Sequence, residues 1–341
     1  MCVSLLCSVT SARSDPVDHA ADLEPMAQRS LLLDVARADK RLVAVGERGH
    51  VLLSDDDGKT WAQSPSVPSR TMLTAVCFAD ALHGWAVGHD EIILGTTDGG
   101  RSWVRQHYAP ETQQPLLDVL CVDARHAIAV GAYGSYFVSN DAGVQWAAQK
   151  FSHQPLLKPT KVAGATADEI PPDYHLNRIA VIGKFLFLAA EAGQLYRSAD
   201  GGGSWLSLPS PYKGSFFGLL PLPGDSLLAF GLRGNLFLSN DAGVSWLKVE
   251  SGTSAMLTDG LRLADGSIVI VGLSGAMIVS HDGGKTFSLH EQPDRKGLSA
   301  ALAIGNAQIL AVGESGSRRI DMDCGCTAPG ATERPTERAA K

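Results

Sequence analysis

Six aspartates recur at one place in a repeated octet, and sets of carboxylates are what glycoside hydrolysis and other acid–base chemistry draw on. The octets are SDDDGKTW at 54–61, TTDGGRSW at 96–103, SNDAGVQW at 139–146, SADGGGSW at 198–205, SNDAGVSW at 239–246 and SHDGGKTF at 280–287. Their carboxylates are Asp56, Asp98, Asp141, Asp200, Asp241 and Asp282, and their aromatic ends are Trp61, Trp103, Trp146, Trp205, Trp246 and Phe287. Successive aromatics lie 42, 43, 59, 41 and 41 residues apart. Such regular spacing assigns one octet to each copy of a supersecondary unit, so the carboxylates are dealt out to separate copies rather than paired. A structural role is expected instead. The Asp accepts hydrogen bonds from amides of its own loop, and the Gly permits the positive φ of the turn. The aromatic wedges between neighbouring units, where burial is worth about 1.5–3 kcal/mol per ring.

The elements that must hold these loops are legible around them. Before each octet runs a short apolar segment closed by a small residue, RLVAVG, HGWAVG, HAIAVG, KFLFLAA, SLLAFG and SIVIVG, and a seventh, QILAVG, follows the last octet at 308–313. A further apolar segment precedes each of these, another follows, and the aromatic opens a fourth, as in WVRQHY and WLKVE. Runs of four to eight residues rich in β-branched and large apolar side chains, bounded by Gly, Asp or Asn, predict strands. Four antiparallel strands in about 42 residues make one propeller blade. The fold class expected is therefore all-β, a seven-bladed β-propeller with four-stranded antiparallel blades, spanning 18–328. In the seventh unit the octet has decayed to DMDCGCTA, with Ala328 in place of the aromatic. The polar, Pro-containing tail at 329–341 is expected to be disordered, and the stretch Ala20 to Gln28 is expected to supply the closing strand.

The octets match the Asp-box (BNR) pattern, and HGWAVGHDEIILGTTDGGRSW resembles the repeat of the photosystem II assembly and stability factor family. That resemblance covers roughly 31–328. It implies a seven-bladed propeller, no cofactor and a protein client. The photosynthetic members are assembly chaperones that bind a new membrane subunit through a positively charged surface, and their relatives in non-photosynthetic bacteria look like envelope proteins. The present chain is net acidic at −7, and its one arginine cluster is Arg318 and Arg319. Asp boxes also occur in sialidases, which need three arginines converging on a carboxylate, a Tyr–Glu nucleophile pair and an Asp acid/base. Here Arg48, Arg70, Arg101, Arg105, Arg178, Arg197 and Arg233 fall at unrelated phases of the repeat. A non-enzymatic scaffold is expected, with a sialidase-like hydrolase or a carbohydrate-binding propeller as the alternative.

Candidate binding residues follow from topology. The turn between the second and third strands reads GERG, GHDE, GAYG, AEAG, GLRG, GLSG and GESG, and it shares a face with the links between blades. A rim of Glu47, Arg48, His89, Asp90, Tyr133, Glu191, Arg233 and Glu314 is the expected contact surface for a protein or peptide. The interval of 59 adds about 17 residues, an insert at about 152–174 on that face. Leu156, Leu157, Tyr174 and His175 are its candidate contacts.

The remaining composition excludes other classes. A pI near 5.8 argues against a nucleic-acid backbone as partner, and no apolar run is long enough to span a membrane. No His or Cys spacing predicts a metal site, since His153 and His175 are far apart and His83 and His126 occupy one turn of neighbouring blades. Cys77 and Cys121 sit in apolar runs and are expected as small core residues. The segment 1–17, with MCVSLLCSVTSARS, reads as the remainder of a secretory leader. Export to the periplasm is expected, with a cytoplasmic propeller as the alternative, and a monomer with a membrane-protein complex as client.

Overall fold

The computed structural model describes residues 19–155 and 174–322. The leader at 1–17, Leu156 and Leu157, the decayed octet from Asp323 onward and the tail at 329–341 lie outside the described residues. Seven sheets, antiparallel except for one added edge strand in the fourth, follow one another along the chain, with inner strands Leu32–Ala38, Leu73–Phe78, Leu116–Cys121, Leu176–Ile182, Phe216–Pro221, Leu257–Arg262 and Leu298–Ala303. Each inner strand pairs with a second, the second with a third and, in the first six sheets, the third with a fourth. The protein is a seven-bladed, all-β propeller.

The second strands explain why the sequence there is continuously apolar rather than alternating. Gly84–Gly88, Ala127–Gly131, Leu227–Gly231 and Ile268–Gly272 are buried at every position, because each is sandwiched between the two neighbouring blades. Outer strands face solvent on one side and are short, as in Ala62–Gln63 and Ala147–Ala148. The buried side chains form seven apolar clusters, one for each seam between successive blades. The seventh joins Leu32, Leu42 and Leu52 of blade 1 to Leu310 and Val312 of blade 7, which closes the ring.

Two expectations require correction. Cys77 and Cys121 are not free core thiols but a disulfide joining the inner strands of blades 2 and 3, whose Cα atoms lie 5.7 Å apart. Neighbouring inner strands converge towards the propeller axis, and that convergence brings together two cysteines 44 residues apart. Closing a loop of that length is worth about 4 kcal/mol in the chain-entropy account. The stretch from Ala20 to Gln28 is also not a strand. The Ala21 amide donates to the Val67 carbonyl and the Glu24 amide to Gln63 Oε1, both on blade 1, before Ala27–Arg29 forms a 3₁₀ turn against blade 7. Pro25 lacks a ladder donor, and the stretch carries no alternating apolar pattern. Ala27 is buried in the seam between blades 7 and 1, and Gly316 lies against the Gln28 carbonyl so closely that a Cβ would sit 1.9 Å from it.

Candidate functional site

The octet loops form the third-to-fourth-strand hairpins, with one geometry throughout. In blade 1, Ser54 Oγ donates to Asp56 Oδ1 at 2.9 Å and accepts from the Gly58 amide at 2.8 Å. Asp56 then accepts from the Thr60 amide at 2.9 Å and the Thr60 hydroxyl at 2.7 Å. Asp98, Asp200, Asp241 and Asp282 repeat the pattern with Ser102, Ser204, Ser245 and Thr286, while Asp141 accepts from the Gln145 amide. These bonds, led by the one from the Thr60 hydroxyl, pull the Asp56 carboxyl down to about 2. In Asp282, burial opposes the shift, but the bonds from Thr286 prevail and the carboxyl again falls to about 2. Each loop spends its carboxylate on itself, and no two octet aspartates meet. The aromatics pack into the seams, Trp103 against Phe78 and Trp205 against Tyr136, with ring centroids at 6.3 and 6.2 Å. Trp146 stands edge-on to Trp85 of the preceding blade, and Gln106 accepts from both indoles. Trp61 packs on the blade 7 side, Trp246 beside Phe187 of blade 4, and Phe287 in the seam of blades 5 and 6.

On the opposite face the second-to-third-strand turns are tied to the links seven times over. The first residue of each turn, Glu47, His89, Ala132, Glu191, Leu232, Leu273 and Glu314, donates its amide to the carbonyl of Leu31, Met72, Pro115, His175, Ser215, Met256 or Gly297. In six turns the next residue takes positive φ although it is not glycine: Arg48, Asp90, Tyr133, Ala192, Arg233 and Ser274. Non-glycine residues in this region are sparse and cost free energy, and of the six Arg48, Tyr133, Arg233 and Ser274 are exposed while Asp90 and Ala192 are half-buried.

The structure gathers some of the expected rim residues and disperses others. Tyr133 of blade 3 is 55% exposed and stacks edge-on against His175 of blade 4, with centroids 4.8 Å apart. His175 Nδ1 lies 3.4 Å from Glu191 Oε1, and Glu191 Oε2 accepts the His175 amide. Two rim residues and one residue of the insert thus form a single group, exposed at Tyr133 and half-buried at His175 and Glu191, with Tyr174 half-buried beside it. Glu47 instead accepts the Leu31 amide, Arg48 pairs with Glu24 at 3.0 Å, and Arg233 and Glu314 stand apart on blades 5 and 7. His89 is exposed and Asp90 half-buried on blade 2. The insert departs from blade 3 by adding His153–Pro155 to the outer edge of blade 4 as a parallel fifth strand, paired with Trp205–Ser207. His83 and His126 each bond to an aspartate of their own turn, Asp80 and Asp123. Among the described residues, no group of three or more His, Cys, Asp or Glu is arranged to hold a metal ion.

One cluster was missed in the sequence. Asp34, Asp118, Arg178 and Asp259 occupy the third position of the inner strands of blades 1, 3, 4 and 6. Each aspartate reaches the next blade, accepting from the amides of Val76, Ile179 and Ala301 at 2.8, 2.8 and 3.0 Å. Arg178 crosses the axis to Asp259 at 2.9 Å and lies 3.7 Å from Asp118. Burial raises Asp34 to about 7 against the pull of Arg178, and burial likewise raises Asp118. Thr74, Asn177 and Thr258 donate to the inner-strand carbonyls Leu116, Phe216 and Leu298. The channel is thus cross-braced by polar side chains, and its carboxylates are occupied by backbone amides and the guanidinium. The signal lay in the segments LLLDVARA, LLDVLCVD, HLNRIAVI and MLTDGLRL, where a charged residue interrupts an apolar run at one phase.

With this geometry in hand, comparison with known proteins gives the fold context. No family model matches the chain, and no curated protein matches it. Solved structures do. YCF48 bound to D1 peptide is 18% identical, with a TM-score of 0.66 over 89% of this chain and 96% of that one. YCF48 from Cyanidioschyzon merolae is 18% identical, with a TM-score of 0.63 over 87% and 97%. The WD40 β-propeller domain of Doa1 is 14% identical, with a TM-score of 0.65 over 89% and 95%. What these likenesses show is the propeller fold.

Proposed function

We propose that this protein is a non-enzymatic binding or assembly scaffold whose client is a protein, in the setting of a membrane-protein complex of a bacterial envelope. The observation that carries the reading is the Tyr133–His175–Glu191 group, with its exposed tyrosine, where the rim and the insert meet on one face. An exposed aromatic flanked by a charged pair is the composition of an interface hot spot. Exposed Leu232 and Leu273 on the same turns of blades 5 and 6 extend that face with apolar surface. YCF48, a photosystem II assembly factor that resembles this chain in fold, has been solved with a D1 peptide, which supports a protein rather than a small molecule as client. The Cys77–Cys121 disulfide supports export, because such bonds persist in oxidising compartments. Of the arginines that a sialidase would converge, Arg48 and Arg70 lie together but are paired with Glu24 and Asp22, while Arg178 is held by aspartates of the channel.

Crosslinking in the native cell, with tagged purification and mass spectrometry, tests the reading. The intact chain should recover a membrane protein that is lost on Tyr133→Ala with His175→Ala, and on deletion of residues 156–172. Equal recovery by all three forms would remove the rim as the contact. Hydrolysis of a fluorogenic sialoside by the purified protein would replace the scaffold reading with the enzymatic one.

A further inference from the structure

His50 follows the second-to-third-strand turn of blade 1, at the position where the other blades carry Ile92, Ser135, Gln194, Asn235, Ala276 and Ser317. It is the one titratable side chain of the set, it is 1% exposed, and neither of its ring nitrogens has a hydrogen-bond partner among the described residues. Alternate strand residues share a face, so His50 lies on the side of Leu52, towards the seam with blade 7 where Ala27 is also buried. The N-terminal stretch enters blade 1 there. Its fastenings are polar: the Ala21 amide on the Val67 carbonyl, the Glu24 amide on Gln63 Oε1, Gln63 Nε2 on the Asp22 carbonyl, and the ion pairs Glu24–Arg48 at 3.0 Å and Asp22–Arg70 at 2.8 Å. Between residues 20 and 29 only Ala27 is buried. A segment with so little apolar burial opens at lower cost than the blade beneath it.

Such a cover suits a neutral imidazole. Burial lowers the pKa of His50 from its ordinary 6.5, and Arg48 adds to that, against the opposing pull of Glu24 and Glu47. Both carboxylates are engaged elsewhere: Glu24 is held by Arg48, and Glu47 Oε1 accepts the Leu31 amide. His19, Asp22 and Arg29 are exposed and complete the charges of the N-terminal stretch, Glu314 stands across the seam on blade 7, and the outer strand Ala62–Gln63 carries no charge. We infer that residues 20–29 are an acid-released strap: once His50 takes up a proton its imidazolium must reach water, and the strap gives way before the blade does. Release withdraws Glu24 from Arg48, so a rim cation masked at neutral pH is presented on acidification. The open form binds the proton more tightly than the closed one, so opening gains up to about ten-fold per pH unit as pH falls below about 6.5. This holds whether or not the rim binds a client.

Hydrogen exchange of the full chain, normalised to intrinsic amide rates, reads the strap at Ala21 and Glu24. Their protection should fall at least about three-fold between about pH 7 and about pH 5.5, while the Gly58 and Thr60 amides of the blade 1 octet keep theirs. Asp34 takes up its proton over the same range and thereby favours the folded state, so it cannot cause the loss. His50→Gln should hold the strap's protection level across that range. In the NMR spectrum of the intact chain the His50 ring should titrate below 6.5, in step with the strap amides. Constant protection in the intact chain, an equal loss at Gly58 and Thr60, the same slope in His50→Gln or a ring midpoint at or above 6.5 would each overturn the inference. Should His50→Gln leave the strap open at every pH, the slope of the intact chain and the ring titration decide.

Discussion

The periphery and the axis of this propeller use the same residue for opposite ends. Octet aspartates such as Asp56 and Asp282 sit in exposed hairpins, take several short donors each and fall to about 2. Asp34 sits on an inner strand, also takes amide donors, and rises to about 7. Hydrogen bonds to the charged form are present in both places, so the difference is desolvation, reinforced at the axis by the neighbouring Asp118 and Asp259. A carboxylate in a solvated loop is a cheap local clamp. At the axis it is a costly brace that works because one arginine is shared among three acids.

The comparison is broken most severely by removing that arginine. Arg178→Met should destabilise the fold by about 3 kcal/mol, since it leaves Asp118 and Asp259 buried without their cation. Urea denaturation measures this, and a loss below about 1 kcal/mol would mean that the backbone amides alone sustain the acids.

Next in size is the pH dependence. The folded protein holds the Asp34 proton up to about 7, whereas the unfolded chain releases it near 4, so folding binds the proton in between. Stability from this group is full below about pH 4 and is lost as pH rises through about 7. The octet aspartates act with the opposite sign, contributing above about pH 4 and losing that contribution as pH falls towards 2. Asp34→Asn should flatten the decline of Tm between pH 5 and 8 and leave the acid limb unchanged. An unaltered slope would show that Asp34 is not the titrating group.

Smaller again, Asp98→Ala should cost about 1–2 kcal/mol, because it strips acceptors from the Ser102 amide and hydroxyl and from Thr96 Oγ1. Asp98→Asn, which keeps one acceptor oxygen, should cost less than half of that. Equal costs for the two would locate the effect in charge rather than in the hydrogen bonds.

Legibility followed the same division between local and distant contacts. The octets, the apolar second strands and the two-to-three turns could be read because each is built by residues close in sequence, and a seven-fold repeat multiplies the signal. The grouping of Tyr133, His175 and Glu191 was legible only in part. Topology put all three on one face, but their stacking depends on how the insert returns to blade 4. The N-terminal stretch was misjudged because its distance from blade 1 matched a strand while Pro25 and its pattern did not.

What the sequence determined by itself was the blade, its number and its corners. Those depend on alternation, turn residues and one aromatic wedge, all set within about 42 residues. Only the tertiary structure decided what happens at the axis and at the last edge. Asp34, Asp118, Arg178 and Asp259 become neighbours, and Cys77 meets Cys121, because closing the ring draws seven inner strands towards one line. A repeat fixes what each blade does alike. It cannot say which odd residues of different blades will face one another once the circle is shut.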